Sequence, residues 1–162
     1  MTNVLRIYRL IHDIYVLLDD GDRRTLDQFG LTISQYGLLM QLRDGSGKRL
    51  TTLSEQLLLA KSTITRAVDQ LESRGLVERI VDPDDRRAQR VVLTERGLDI
   101  CNKAHATHLA SLQYRLAHID GDTREVLDHL LTQLRSDLRA DLGQRDDPSY
   151  PQGTSSNSFK DV

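Results

Sequence analysis

The sequence has few of the residues that cross-link a small protein, stiffen its backbone or add aromatic bulk to its core. Its 162 residues include no tryptophan, two phenylalanines, three prolines and one cysteine. Cys101 alone cannot form a disulfide within the chain, and no export signal is recognisable at the N-terminus, so we expect a cytoplasmic protein. No apolar run approaches the roughly 20 residues that a membrane span needs. The sequence therefore predicts no contact with a membrane.

An excess of charge of one sign is also lacking. The 22 basic and 24 acidic residues leave a net charge of -2. This argues against binding nucleic acid by charge alone, but it does not exclude basic residues clustered on one face. The glycines do not fall in a phosphate-binding loop pattern, and no Ser-His-Asp constellation is readable. We expect neither an enzyme nor a cofactor.

Apolar residues recur every three or four positions in residues 3–18, which predicts one face of a helix. Gly21 and Asp22 loosen its end, although the helix can resume through Leu26. Such a stripe must be buried against something. It comprises Val4, Ile7, Tyr8, Ile11, Ile14, Tyr15 and Leu18.

Three short helices are predicted next. Ser34, Thr52 and Ser62 stand where an N-cap hydroxyl belongs, and Thr52 with Glu55 fits a capping box. The helix that Ser62 begins ends at Gly75, a typical C-terminal glycine.

The period then changes from helix to strand. Residues 76–81 and 90–93 are rich in β-branched side chains and predict a hairpin around the charged loop 82–89. Thr94 caps a further helix, and residues 120–122 separate it from the last one. The fold class is mainly α (α+β), a winged helix-turn-helix with flanking dimerisation helices. Residues 31–93 are the predicted DNA-binding region, residues 1–30 and 94–142 the dimerisation region, and residues 143–162 a disordered tail.

The helix at 62–74 keeps its apolar side for its own core, and its other side carries groups suited to base edges and phosphates. The predicted DNA-contacting residues there are Ser62, Thr63, Thr65, Arg66, Asp69 and Gln70. At the hairpin tip, Arg86 and Arg87 suit a narrow minor groove, and Asp85 is placed to orient a guanidinium. Candidates for phosphate contacts are Lys48, Arg49, Lys61 and Arg90. Each feature alone is usually a solvated surface, but their combination is much more specific for double-stranded DNA.

Apolar stripes near both chain ends exceed what one small winged domain can cover, which indicates a homodimer. A twofold axis would then bring two recognition helices to half-sites about 34 Å apart.

The segments that form the predicted recognition helix, the hairpin and the start of the next helix resemble the multiple-antibiotic-resistance regulator (MarR) family. The resemblance is carried by Lys61-Ser-Thr-Ile-Thr-Arg66, by residues 68–79, by Asp82-Pro-Asp-Asp-Arg-Arg87 and by Leu93-Thr-Glu-Arg-Gly97. It implies a homodimeric repressor on a pseudopalindromic operator. It also implies that Arg87 enters the minor groove with Asp85 as its partner, and that a small phenolic or acidic ligand releases the DNA.

Two positions depart from the family pattern. Leu58 stands in the turn before the recognition helix, where glycine is common, and Ser54 replaces a small apolar residue that usually packs between the two helices. The shape of that turn is therefore in question.

Several assignments stay open at this stage. The candidate effector pocket is Tyr8, His12, Tyr36 and Met40, although the tyrosines also suit the core or an interface. His105 and His108 share a helix face and could hold a metal, but we favour no metal site. Cys101 lies on an apolar stripe, which favours a buried structural thiol over a redox switch. The alternatives in function are a winged-helix protein-interaction module, and a regulator without small-molecule input, either an activator or redox-responsive.

Overall fold

The computed structural model describes residues 3–143, which form six helices and one two-stranded antiparallel sheet. The helices are α1 (Val4–Asp27), α2 (Ile33–Leu42), α3 (Leu50–Leu57), α4 (Lys61–Ser73), α5 (Glu95–Arg115) and α6 (Gly121–Gly143), and the strands are β1 (Val77–Val81) and β2 (Gln89–Leu93). This order and the mainly α winged-helix class confirm the prediction. The predicted tail lies outside the described residues, except for residue 143, which ends α6.

The chain divides into two compact units, one that ends at Arg115 and one that begins at Leu116. The predicted regions grouped residues 1–30 with 94–142 by their role in dimerisation, so that grouping stays a prediction. The second unit contains α6, and Asp120 begins this helix by accepting the backbone N–H of Thr123 at 2.9 Å.

The core of the first unit is built from the apolar sides of α2, α3, α4 and the start of α5, closed by the two strands. Its fully buried members are mainly leucines and valines, which pack without leaving polar groups to satisfy. They include Leu26, Leu38, Leu39, Leu42, Leu53, Ile64, Val68, Leu71, Leu76, Val77, Val91, Cys101 and Ala104. One face of α4 is thus fixed against the core.

Helix α1 runs without a break past Gly21, where the sequence predicted a loosened end. A side chain at this position would collide with the guanidinium of Arg115, only 2.3 Å from an added Cβ. Arg115 donates to the carbonyl of Leu18 at 3.2 Å and to Asp22 at 2.6 Å. Gly21 therefore serves the packing of α1 against α5 and does not end the helix.

The three short helices begin earlier than predicted. Thr32, not Ser34, caps α2 and forms a capping box with Gln35. Arg49 is the N-cap of α3 in place of Thr52, and Ala60 is the N-cap of α4 in place of Ser62, neither with a side-chain capping bond. The local capping box thus sets the start of α2, whereas the residue before Arg49 already pairs through its backbone with Val91 of β2 at the start of α3.

Candidate nucleic-acid interface

Helix α4 separates an apolar face from a polar one. Ile64, Val68 and Leu71 are completely buried, whereas Ser62, Thr63, Arg66, Asp69 and Gln70 are exposed and Thr65 is half-buried. The predicted recognition residues therefore lie together on the outer side of one helix. A helix of this kind fits the major groove, where base edges present distinct donors and acceptors.

The polar groups of α4 differ in how free they are. The guanidinium of Arg66 is exposed and has no partner among residues 3–143. The hydroxyl of Thr65 donates to the carbonyl of Lys61 at 2.9 Å, which leaves its oxygen able to accept. The side-chain oxygen of Gln70 accepts from the amide of Gln35 at 2.8 Å. Arg66 is thus free to donate on this face, as are the hydroxyl groups of Ser62 and Thr63 among the described residues.

Asp69 is held by a residue that the sequence analysis did not single out. Arg79 of β1 contacts its carboxylate at 2.5 Å and also binds Glu72, one turn further along α4. Arg79 is itself one-fifth exposed, and the two carboxylates raise the pKa of its guanidinium. The pairing joins residues about ten positions apart in different elements, so no local spacing pointed to it.

The turn between α3 and α4 resolves the two departures from the family pattern. Leu58 has a φ of 54°, the left-handed region in which glycine is common. Ser54 donates its hydroxyl to the carbonyl of Leu59 at 2.6 Å. The turn therefore keeps a glycine-type shape with leucine in it, and the hydroxyl of Ser54 satisfies a carbonyl inside it.

The wing is the β1–β2 hairpin, in which Val81 pairs with Gln89 next to the loop and Val77 pairs with Leu93 at the base. Asp85 accepts the backbone N–H of Arg87 at 3.0 Å. The carboxylate of Asp85 therefore binds the main chain of the loop, whereas we expected it to orient a guanidinium. The side chains of Arg86 and Arg87 are exposed, without partners among the described residues.

A buried aspartate fixes the base of this loop. Asp82 is 0% exposed and accepts from the Nε of Arg49 at 2.6 Å and the Nε of Arg90 at 2.9 Å. The bond from Arg49 is the main reason that the pKa of this carboxyl lies far below its usual value. Because Arg49 is the N-cap of α3, the cluster ties the wing to the helix-turn-helix.

The four predicted phosphate contacts are consequently not equivalent. Arg49 and Arg90 are engaged with Asp82, and Lys48 lies 3.3 Å from Gln41 and 3.6 Å from Asp44. Only Lys61, among these four, is exposed with no partner in the part of the chain described. It stands at the first turn of α4, where unpaired backbone N–H groups also attract phosphate.

The predicted cap at Thr94 is confirmed and joins α5 to the wing. The hydroxyl of Thr94 accepts from the backbone N–H of Gly97 at 3.0 Å and donates to the carbonyl of Gly75 at 2.7 Å. Gly97 lies so close to Leu76 that an added Cβ would stand 1.8 Å from its carbonyl oxygen. The Leu-Thr-x-x-Gly segment therefore fixes α5 against the start of β1.

The candidate effector residues have different surroundings, and their role as a pocket stays a prediction. Tyr8 and His12 are exposed on α1. Tyr36 bonds to His105 Nδ1 at 3.1 Å, and burial raises the pKa of its hydroxyl. Met40 touches the sulfur of Cys101 at 3.8 Å. A cavity of about 880 Å³ lies among α1, α2 and the end of α3, and its lining includes Tyr15, Arg23, Arg24, Ile33, Leu57 and Leu59.

Cys101 is completely buried, and burial raises the pKa of its thiol, which agrees with a structural role. His105 and His108 both contact Tyr36, and His108 Nε2 also lies 3.0 Å from Asp22 Oδ1. Within residues 3–143, no three His, Cys, Asp or Glu side chains are grouped so that they could bind a metal. In the same range, none of the helices has the length and apolarity to cross a membrane.

Residues 31–88 match the model of the MarR family. The chain is 27% identical to the multiple antibiotic resistance protein MarR of Escherichia coli K12 over 132 residues, which is 81% of this chain and 92% of that protein. It matches the crystal structure of AbsC from Streptomyces coelicolor with a TM-score of 0.77 at 27% identity, over 86% of this chain and 97% of the other. A mutant of E. coli MarR in complex with operator DNA matches with a TM-score of 0.74 at 27% identity, over 81% and 94% of the two chains.

Proposed function

We propose that the chain is a DNA-binding transcriptional regulator of the MarR family and not an enzyme, and that it acts as a homodimeric cytoplasmic repressor. It binds a pseudopalindromic operator with α4 in the major groove and the wing in the minor groove. The observation that carries this assignment is a set of exposed guanidinium groups that have no partner among residues 3–143, Arg66 on α4 and Arg86 and Arg87 on the wing.

The charged residues fall into two groups, those paired within the protein and those that are free to bind DNA. Arg49 and Arg90 already pair with Asp82, so these two residues stabilise the wing. The unpaired arginines have no such role within residues 3–143, and exposed arginine is the side chain best suited to guanine edges and to a narrow minor groove. Ser62 and Thr63 add hydroxyl groups beside Arg66 at the start of α4.

The homodimer is supported by apolar surface that the first unit leaves uncovered. Seven apolar residues in the first three turns of α1 are at least two-fifths exposed: Val4, Leu5, Ile7, Tyr8, Leu10, Ile11 and Ile14. A patch of this kind on a folded chain marks an interface. A second copy of the chain is the partner that a twofold-symmetric operator requires.

Selection of bound fragments from random DNA, using the full chain, tests the assignment. We expect a twofold-symmetric consensus with half-site centres about one helical turn apart. On the selected duplex, Arg66→Ala and Arg87→Ala should each weaken binding by about 1–3 kcal/mol. Lys103→Ala on α5 is the control, since Lys103 pairs only with Asp99 on an exposed surface. Unchanged binding by the Arg66→Ala, Arg87→Ala double variant would favour a protein-interaction module.

We further propose that a small phenolic or acidic compound releases the operator. The cavity among α1, α2 and α3 supports this through its apolar walls. The guanidinium groups of Arg23 and Arg24 also line it, each paired with an aspartate one turn earlier in α1. The cavity also lies against α2, whose Gln35 bonds to Gln70 of α4. A ligand that displaces α2 would therefore disturb a contact that holds the proposed recognition helix in place. Titrating a hydroxybenzoate into the protein–DNA complex tests the idea. A complex that stays intact at saturating ligand would favour a regulator without small-molecule input.

A further inference from the structure

The proposed recognition helix carries two carboxylates, that of Asp69, which is among the predicted DNA-contacting residues, and that of Glu72, which is half-buried. Asp69 and Glu72 stand one turn apart, and the side chain of Asp69 is 58% exposed. A duplex carries one negative charge for about every 1.7 Å of its axis, so bare carboxylates beside it are repelled. Asp69 is also three residues from Arg66, the spacing at which an aspartate and an arginine pair on a helix.

Arg79 answers both problems at once. Its two terminal nitrogens contact Asp69 at 2.5 Å and Glu72, and its backbone N–H donates to Glu72 at 3.2 Å. Strand β1 holds the residue in place, since Arg79 pairs with Val91 at the middle of the hairpin. A guanidinium stays charged at any physiological pH and its fork matches two carboxylates.

We propose that Arg79 is a positioning residue for DNA binding, which pairs with both Asp69 and Glu72, offsets one of their two negative charges and thereby leaves Arg66 free to reach the duplex. The proposal rests on the proposed role of α4. Arg79 itself does not need to touch DNA, because both of its terminal nitrogens are occupied by carboxylates. Without it, the helix would present two unbalanced negative charges, and Asp69 would compete with the phosphates and bases for Arg66.

The test measures binding of the full chain to the selected duplex and to a mixed-sequence duplex of equal length. Arg79→Gln should weaken binding to both by about tenfold at about 50 mM salt, and the loss should shrink as salt rises to about 300 mM. The triple variant Arg79→Gln, Asp69→Asn, Glu72→Gln removes all three charges. On the mixed-sequence duplex, where a base contact of Asp69 would contribute nothing, its binding should recover to within about threefold of the original chain. A role confined to packing would give a loss that neither salt nor the triple variant repairs.

Lys103→Gln is the matched control, because it also removes one positive charge and leaves a carboxylate, Asp99, without its partner, but on the exposed surface of α5. If Arg66→Ala weakens binding while Arg79→Gln behaves as Lys103→Gln does, the proposal for Arg79 is overturned and the role of α4 stands. If neither variant weakens binding, the role of α4 fails first.

A variant that retains Arg79 guards against a folding defect, which circular dichroism melting of each protein would reveal. The double variant Asp69→Asn, Glu72→Gln exposes an unbalanced guanidinium and should bind the mixed-sequence duplex about tenfold more tightly at low salt. Unchanged affinity of this variant, with a normal melting curve, would contradict the electrostatic role of Arg79 without any substitution of Arg79 itself.

Discussion

Helix α4 and the first half of α1 have the same amphipathic pattern and opposite surroundings. Ile64, Val68 and Leu71 of α4 are completely buried, whereas Ile7 and Ile11 of α1 are 45% and 41% exposed. The period of a sequence determines which side of a helix is apolar, but it does not determine what covers that side. In α4 the cover is the chain's own core, and in α1 we infer that it is a second copy of the chain.

The second unit presents the same situation by itself. Four leucines of α6, at positions 127, 130, 131 and 138, are between 40% and 56% exposed. Fully burying one such side chain contributes about 1.5–3 kcal/mol. Several of them left uncovered on both end helices represent a large driving force for association, and α4 leaves no comparable surface.

The largest effect is expected from charging the apolar side of α1. Ile7→Glu combined with Ile11→Glu places two carboxylates where the partner's apolar surface would lie, which buries unpaired charge. We expect sedimentation to give a mass near the 18.4 kDa of one chain, in place of twice that value. Affinity for the selected duplex should fall by about 100-fold or more, because a monomer engages only one half-site.

Arg9→Glu on the same helix is the control, since it changes the net charge by the same two units at an exposed polar position. It should leave the dimer intact. A double variant that still sediments as a dimer would move the interface away from α1, and an original chain that is monomeric at micromolar concentration would remove the reason for the exposed stripes altogether.

The next largest effect concerns the stability of the winged unit, whose apolar side chains are covered by its own contacts. Gly97→Ala places a methyl group against the carbonyl of Leu76, which the backbone of α5 or β1 must move to accommodate. We expect a loss of about 3 kcal/mol in the free energy of unfolding, at the upper end of overpacking effects. Urea denaturation measures it.

Gly121→Ala in the second unit is the matched control, because an added Cβ there meets nothing within 4 Å. The two substitutions are chemically identical and differ only in the space around them. Equal stability of the two variants would show that α5 and the wing are loosely joined, and that the contrast with the open faces of α1 and α6 is smaller than the structure indicates.

The features that could be predicted are those that depend on local periodicity. The order of helices and strands, the cap at Thr94 and the burial of Cys101 followed from spacing alone and are confirmed. The N-caps predicted for α2, α3 and α4 were wrong. In α2 a second local signal, the capping box of Thr32 and Gln35, sets the start, and in α3 the backbone pairing of Lys48 with Val91 precedes the helix. Each of these helices begins one or two residues before the hydroxyl that was expected to cap it.

What could not be predicted are pairings across the fold. The sequence shows Arg49 and Arg90 as free cations, and only the structure shows that both serve the buried carboxylate of Asp82. In the same way, nothing in the local pattern around Arg79 indicates that it reaches Asp69 on α4. A charged residue can be recognised in a sequence, but its partner is set by topology.

The smallest effect is expected in the turn between α3 and α4, which sets the angle of the proposed recognition helix. Leu58 holds a φ of 54° while its side chain is 63% exposed, so it contributes little packing. A left-handed conformation costs a residue with a Cβ roughly 1–2 kcal/mol, of which the greater flexibility of unfolded glycine offsets part. Leu58→Gly should therefore raise the free energy of unfolding by up to about 1 kcal/mol. Leu58→Ala keeps the Cβ and should give no such gain in urea denaturation. A glycine variant less stable than the alanine variant would contradict the cost assigned to the left-handed conformation of Leu58.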